Sequence, residues 1–168
     1  MEQLWAPWRS TYVQRDSAES TAETCFLCEA GQQHQAHEPT LVVGSSEHSV
    51  VLLNKFPYSA GHLMVVPRGH LGTLTDLTQK EYVDLMNSVR KSVDILEQVF
   101  KPHGCNVGIN LGAASGAGVP DHLHVHVIPR WDGDTNFMTS IGQTRVISQE
   151  LHQTWAKISP HFARESQV

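Results

Sequence analysis

The chain has 168 residues, of which 40% are hydrophobic and 17% charged, so it fits one globular domain and is not a disordered protein. Twelve basic against seventeen acidic residues give a formal net charge of −5 without any basic cluster. We therefore expect no nucleic-acid or membrane partner. Any phosphate must be held locally, by backbone N–H groups, by histidines or by single arginines such as Arg68 and Arg130.

Cysteine usage and the N-terminus bear on the compartment. The chain begins without the basic stretch and apolar run of a secretory signal, and its longest apolar runs are strand-sized. The three cysteines, an odd number, do not form a disulfide framework. We expect a cytoplasmic enzyme.

The first half of the chain contains a polar arm, three strands and a helix. Residues 1–39 are irregular and include an aromatic group at 5–12, so we expect an arm that packs on the domain or on a second subunit. Strand-like runs follow at 40–43, 49–53 and 63–66. Thr78 and Glu81 form a capping box, and apolar residues then recur every three or four positions up to Phe100. This predicts one long helix that stops near Pro102.

Two further strands and a helix are predicted in the second half. The strands are 106–111 and 122–128, with a Gly/Ala/Ser loop at 112–118 between them. An amphipathic helix is predicted from Ile147 to Pro160. This order indicates an α+β fold with a largely antiparallel sheet. We assign 1–39 to the arm, 40–140 to the main domain and 141–168 to a C-terminal helix packed on that domain.

The run His122-Leu123-His124-Val125-His126 carries most of the functional argument. Side chains alternate along a strand, so the three imidazoles should share one face while Leu123, Val125 and Val127 share the other. A loop that is rich in glycine and small residues lets backbone N–H groups approach an anion, so loop and histidines together suggest phosphate chemistry. Two alternatives stay open: solvent-facing histidines, or a catalytic metal site formed by the triad.

Residues 122–128 resemble the signature of the histidine-triad (HIT) family, and Pro129-Arg130 extends the likeness. Residues 53–67 are similar to the family's ribose-binding hairpin. Residues 106–112 and 131–137 resemble the branch that includes bacterial diadenosine tetraphosphate phosphorylases. The resemblance implies a five-stranded antiparallel sheet with two main helices, a homodimer, and a nucleotide, most simply an adenine nucleotide, as the partner.

The resemblance also implies roles for individual residues. His124 would be the nucleophile that forms a covalent nucleotidyl intermediate, and His126 would bind the phosphate or protonate the leaving group. The implied nucleotide-binding residues, besides these two histidines, are Asn54 for the ribose and, for the phosphates, Asn110, Ala117, Gly118 and Val119. Many members carry Ser, Thr or Gln where this chain has Gly118 and Val119. Ser115 is the nearest hydroxyl that could substitute, and the choice between water and phosphate as second acceptor stays open.

Cys25 and Cys28 form a CxxC pair, which alone could be a redox motif, a metal site or two buried cysteines. Zinc-bearing members of the superfamily, among them galactose-1-phosphate uridylyltransferase, pair a CxxC with a distant histidine and the first triad histidine. The corresponding residues here are His70 and His122, with His62 as a rival ligand. The resemblance thus implies a structural zinc, which makes His122 structural and leaves His124 and His126 for chemistry.

The sequence therefore predicts a hydrolase or transferase that cleaves nucleoside polyphosphates, of the dinucleoside tetraphosphate kind, or phosphoramidates at the α-phosphate. Three other functions remain as alternatives: a non-catalytic nucleotide-binding or adaptor protein, a hydrolase that uses the triad as a metal site, and a redox protein built on the CxxC pair.

Overall fold

The structure is a computed structural model that describes residues 25–135, 147 and 149–163, and the aromatic group at 5–12 lies outside them. Within this part of the chain the strands are Val42–Ser45 (β1), Ser49–Leu53 (β2), Leu63–Pro67 (β3), Gly104–Ile109 (β4) and Val125–Arg130 (β5). The α-helices are Phe26–Gly31 (α1), Gln79–Phe100 (α2) and Leu151–Ala163 (α3). None of the described helices is long and apolar enough to cross a membrane.

The strands form one five-stranded sheet in the order β1-β2-β3-β5-β4. Every neighbouring pair is antiparallel, and β5 lies between β3 and β4. This confirms the predicted α+β fold, an antiparallel sheet of five strands with two main helices. The predicted bounds of three strands are wrong. β1 begins and ends two residues later than predicted, and β4 begins and ends two residues earlier. β5 begins at Val125, which leaves His122 and His124 in the segment before it.

Helix α2 begins and ends as its sequence predicts. The Thr78 hydroxyl accepts from the Glu81 N–H at 3.3 Å, and the Glu81 carboxylate accepts from the Thr78 N–H at 2.8 Å. This reciprocal capping box satisfies N–H groups that have no partner within the helix. At the other end Lys101 adopts a left-handed conformation, with φ 47°, and ends the helix before Pro102.

Each face of the sheet carries its own apolar cluster. On one face β1, β2, β3 and β5 pack against α2 and α3, and the buried Leu123, Val125 and Val127 belong to this cluster. On the opposite face a smaller cluster joins alternate residues of β1 to β3 with α1. Its members are Cys25, Leu27, Ala30, Val42, Val50, Leu52, Met64 and Val66. Helix α1 is thus on the side of the sheet opposite α2 and α3.

Helix α3 packs on β1, and its predicted bounds are wrong at both ends. It begins at Leu151 rather than at Ile147, and it continues through Pro160 to Ala163. Pro160 lies in the last turn, where its missing N–H removes a single helical hydrogen bond. Phe162, beyond the proline, is buried with the main core cluster, and this burial favours the extra turn.

Candidate active site and metal cluster

The three triad histidines are on the face of the sheet that is opposite the main core, as their alternation predicts. His126 is on β5, paired with Met64 of β3 and with Gly108 of β4. The exposed fractions of His122, His124 and His126 are 0%, 5% and 9%, so these are not solvated surface histidines. The alternative of a solvent-facing triad is wrong.

The tautomer of His124 follows from a single hydrogen bond. Its Nδ1 lies 2.8 Å from the carbonyl oxygen of His122. A carbonyl can only accept, so Nδ1 carries the proton of the neutral ring and Nε2 carries a lone pair. Burial lowers the pKa of His124 from its ordinary value, which keeps the ring neutral at pH 7. His124 therefore has the form that a nucleophile requires.

His126 has the opposite tautomer, because of a chain of two hydrogen bonds. The Tyr58 N–H donates to Nδ1 of His62 at 3.1 Å, so the proton of a neutral His62 is on Nε2. That Nε2 lies 2.9 Å from Nδ1 of His126, which accepts and leaves the His126 proton on its own Nε2. Burial, with a smaller contribution from His124, lowers the pKa of His126 to about 4. His126 is thus a neutral hydrogen-bond donor.

His124 and His126 line a cleft of about 1520 Å³ on this face. Their rings meet edge to face, with centroids 5.0 Å apart. Of the residues predicted to bind the nucleotide, the cleft is lined by Asn54, Asn110, Ser115, Gly118, Val119, His124 and His126. Ala117 is in the same loop but is not among the lining residues. The aromatic side chains of Phe26, Phe56 and Tyr58 are exposed and line the cleft.

The Gly/Ala/Ser loop passes one end of the cleft. Gly112 and Gly116, with φ angles of 72° and 83°, flank the short 3-10 turn Ala113–Ser115. Both angles are in the left-handed region, which glycine adopts without strain. The Ser115 hydroxyl donates to the Gly112 carbonyl at 2.7 Å, so its proton is used within the loop.

The two arginines considered for phosphate binding have other partners. Arg68, one of the arginines considered for phosphate, is outside the cleft lining, and its guanidinium donates to main-chain carbonyls instead. Arg130 lines the cleft, where it donates to both carboxylate oxygens of Asp134, at 2.6 and 2.8 Å. This ion pair holds the pKa of Asp134 well below its usual range. The charge of the Arg130 guanidinium is therefore balanced by a carboxylate in the same cleft.

Cys25, Cys28, His70 and His122 come together behind the triad, as the sequence predicts for a metal site. One ligand atom from each lies within 4.8 Å of the other three. Nδ1 of His122 is 3.4 Å from both sulfurs, and Nδ1 of His70 is 3.1 Å from Cys28 Sγ. Bonds of about 2.3 Å to sulfur and 2.0 Å to nitrogen place tetrahedral ligand atoms at similar separations.

The hydrogen bonding of His122 fits a metal ligand. Its Nε2 donates to the Pro67 carbonyl at 3.0 Å, which leaves the lone pair on Nδ1 directed at the two sulfurs. His62 has its partners elsewhere, so it is not the rival ligand. Among the described residues the metal-ligating group contains neither His124 nor His126. The geometry therefore does not support a metal site formed by the triad.

Sequence reasoning missed the structural roles of two residues, His62 and Arg68. His62 enters the sequence analysis only as a rival metal ligand, whereas the structure makes it the partner of His126. Arg68 enters the sequence analysis only as an arginine that could hold a phosphate, whereas its guanidinium bonds main-chain carbonyls. The Gly61-His62 pair at the hairpin end was the available signal for the first. The adjacency of β3 and β5, which brings His62 to His126, is not visible in a single sequence.

A buried histidine triad on the open face of an antiparallel sheet defines the HIT class of proteins. A HIT domain model matches residues 35–133, and the chain belongs to the HIT family. It is 40% identical over 170 residues to the AP-4-A phosphorylase of Mycobacterium tuberculosis H37Rv, a match that covers 98% of this chain and 86% of the relative. The chain is accordingly an enzyme of the HIT family, and the predicted family and enzyme class are confirmed.

Two further proteins extend the comparison. An asymmetrical bis(5'-nucleosyl)-tetraphosphatase of Schizosaccharomyces pombe is 42% identical over 86 residues, which are 51% of this chain and 47% of that protein. A crystal structure of a Zn-bound histidine triad family protein from Mycobacterium smegmatis matches with a TM-score of 0.67 and 19% identity, over 87% of this chain and 98% of that one. The last likeness shows a shared fold.

Proposed function

We propose that this enzyme cleaves nucleoside polyphosphates at the α-phosphate through a covalent nucleotidyl-His124 intermediate. The observation that carries the proposal is the hydrogen bond from His124 Nδ1 to the His122 carbonyl, which directs an unprotonated Nε2 into the cleft. The names of two relatives, an AP-4-A phosphorylase and a bis(5'-nucleosyl)-tetraphosphatase, support a dinucleoside tetraphosphate as the substrate.

The reaction would proceed by two displacements at phosphorus. In the first, Nε2 of His124 forms a bond to the α-phosphorus, while the bond from that phosphorus to its bridging oxygen breaks and the polyphosphate leaves with the electron pair. His126 donates its Nε2–H to a phosphate oxygen or to the leaving oxygen. In the second, water or inorganic phosphate attacks the same phosphorus and releases His124.

The remaining predicted residues would hold the nucleotide in this geometry. We propose that Asn54 binds the ribose hydroxyls and that Asn110, with the backbone at Ala117 to Val119, binds phosphate oxygens. The Oδ1 atom of Asn54 accepts from the Phe56 N–H at 2.9 Å, which orients its amide group at the edge of the cleft. Backbone N–H groups around Gly118 suit an oxyanion because they need no rearrangement as charge develops.

Product analysis tests this function. Diadenosine tetraphosphate is incubated with and without inorganic phosphate, using the native chain, His124→Ala, and His34→Ala as a control at an exposed histidine. We expect ATP with ADP if phosphate is the acceptor, or ATP with AMP if water is, and no turnover by His124→Ala. Rapid quenching in base should trap one adenylate on the native chain, because the phosphorus–nitrogen bond of a nucleotidyl-histidine survives base and is hydrolysed in acid. Two ADP as products, or equal turnover by His124→Ala, would refute the α-phosphate mechanism.

We also propose that Cys25, Cys28, His70 and His122 bind a structural zinc. The support is the mixed sulfur and nitrogen donor set and the lone pair that the Pro67 contact leaves on His122 Nδ1. When bound, the ion would hold α1 and the start of the triad together. A cytoplasmic location belongs to this proposal, because cysteine thiols persist in reducing compartments. Metal analysis of the purified protein should find one zinc per chain.

A homodimer formed through β4 is the last part of the proposal. β4 is an edge strand, Val107 on it is 49% exposed, and added Cβ atoms at Gly104 and Gly108 would contact nothing within 4 Å. An exposed edge strand has unpaired backbone groups that a second antiparallel copy can satisfy. Light scattering should give twice the chain mass for the native protein and a shift toward the monomer for Val107→Lys. A monomeric native protein would refute the proposed dimer without bearing on the proposed reaction or zinc site.

A further inference from the structure

The Arg68 side chain joins two main-chain segments, at residues 31–33 and at Ser46, to the end of β3. Its Nη1 donates to the carbonyl of Gly31, the last residue of α1, and at 3.0 Å to that of Gln33, two residues beyond the helix. Its Nη2 and Nε donate to the Ser46 carbonyl at 2.9 and 3.2 Å. The last carbonyls of a helix lack partners within the helix, and the guanidinium supplies one for the carbonyl of Gly31.

Helix α1 depends on such contacts because it is short. It spans six residues, and its N-cap, Cys25, makes no side-chain capping bond. A helix of this length is not stable in isolation, so its position is set by tertiary contacts. Leu27 and Ala30 anchor one side of the helix in the smaller core cluster. Arg68 holds its carboxyl end, and the two cysteines are at and near its amino end.

A second observation places the same helix against the Arg68 backbone. A Cβ added at Gly31 would lie 3.3 Å from the Arg68 carbonyl oxygen and 3.5 Å from the Arg68 Cα. The last turn of α1 therefore rests directly on the chain between β3 and His70. In that segment the Pro67 carbonyl accepts from His122, and His70 is itself a predicted ligand.

We infer that Arg68 is a positioning residue for the metal cluster, fixing α1 so that the Cys28 sulfur lies within bonding reach of the ion that His70 and His122 also hold. This inference rests on the proposed zinc site. The segment Pro67 to His70 then performs three tasks: it orients one imidazole ligand, supplies another, and fastens the helix that carries the thiolates. Lysine cannot replace the arginine, because the bonds to the three carbonyls come from Nε, Nη1 and Nη2, whereas all the donors of an ammonium group are on one nitrogen.

The test measures metal binding rather than turnover. Zinc affinity is determined by competition with a chromogenic chelator for the native chain, Arg68→Met, Arg68→Lys and Arg90→Met, whose arginine is exposed on α2. We expect zinc binding to be about tenfold to a hundredfold weaker in both Arg68 variants. Arg90→Met should bind zinc as tightly as the native chain does. Cobalt-substituted protein should show altered visible bands for Arg68→Met, because the ligand geometry changes.

A variant at Gly31 tests the same inference through the helix. Gly31→Ala pushes α1 away from Arg68 while keeping every donor, and it should also weaken zinc binding. Failure of the native chain to bind zinc would refute the zinc site itself. Native affinity and native cobalt bands in Arg68→Met, even with a lowered unfolding temperature, would refute the positioning role and leave the zinc site intact.

Discussion

Nε2 of His62 lies 2.9 Å from Nδ1 of His126, and this contact gives the two imidazoles of the cleft opposite chemical characters. Because His62 donates, His126 accepts and presents an N–H to the substrate. His124, bonded to a carbonyl, presents a lone pair. One acceptor and one donor, side by side and both neutral, suit a displacement in which one ring attacks phosphorus and the other holds an oxygen.

Replacing His62 should disturb His126 without touching the nucleophile. In His62→Leu no donor remains for His126 Nδ1, so the proton of His126 is free to move there and the donor toward the cleft is lost. We expect kcat/KM to fall by about tenfold to a hundredfold. Glutamine has both an acceptor and a donor, so His62→Gln should recover part of the loss. Equal activity of His62→Leu and the native chain would contradict the role of this contact.

Stability should depend on pH through His126. Its pKa is about 4 in the folded chain and 6.5 in the unfolded one. Between pH 6.5 and pH 4 the His126 imidazole is protonated in the unfolded chain and neutral in the folded one. The contribution of His126 to the free energy of unfolding is therefore complete above pH 6.5 and is lost as pH falls toward 4. The full loss is on the order of 3 kcal/mol. Urea unfolding of the native chain and His126→Asn at several pH values should show a shallower pH dependence for the variant.

Metal removal should affect folding rather than chemistry. If a zinc at Cys25, Cys28, His70 and His122 is structural, stripping it with a chelator should lower the unfolding temperature, and activity should be lost in parallel with circular dichroism. Zinc added during refolding should restore both. Rapid loss of activity in a chain that keeps its circular dichroism, reversed by magnesium, would instead indicate a catalytic metal.

Gly44 should not tolerate a side chain. An added Cβ would lie 2.5 Å from Cδ1 of Phe162, so Gly44→Ala must displace the carboxyl end of α3 from β1. We expect a loss of about 1–3 kcal/mol in the free energy of unfolding. Gly69→Ala is the matched control, since its Cβ would meet only the Leu71 side chain, at an ordinary contact distance of 3.4 Å. Similar unfolding free energies for the two variants would show that α3 is not packed as described.

Much of the fold and the chemistry could be predicted because they depend on local patterns. The capping box at Thr78 and the alternation from His122 to Val127 are read directly from neighbouring residues, and the structure has both. The four residues proposed as metal ligands also come together as the family resemblance implies. Predicting such features requires only a periodicity of apolar residues or a short sequence motif.

The errors concern features that long-range packing decides. The bond from His62 to His126 requires β5 to insert between β3 and β4, an arrangement that no local pattern encodes. The extension of α3 past Pro160 depends on a site for Phe162 beside Gly44. Arg68 was considered for phosphate because of its charge, whereas its partners are carbonyls from distant parts of the chain.

The span of the metal cluster has a consequence for how the protein is made. Cys25 and His122 are 97 residues apart, and the other two ligands lie between them. During synthesis the thiols leave the ribosome long before the last imidazole exists, so the proposed tetrahedral site could not close until most of the sheet had been translated. A chain truncated before His122 would therefore carry its cysteines unprotected, and metal loading would mark the completion of the fold rather than its start.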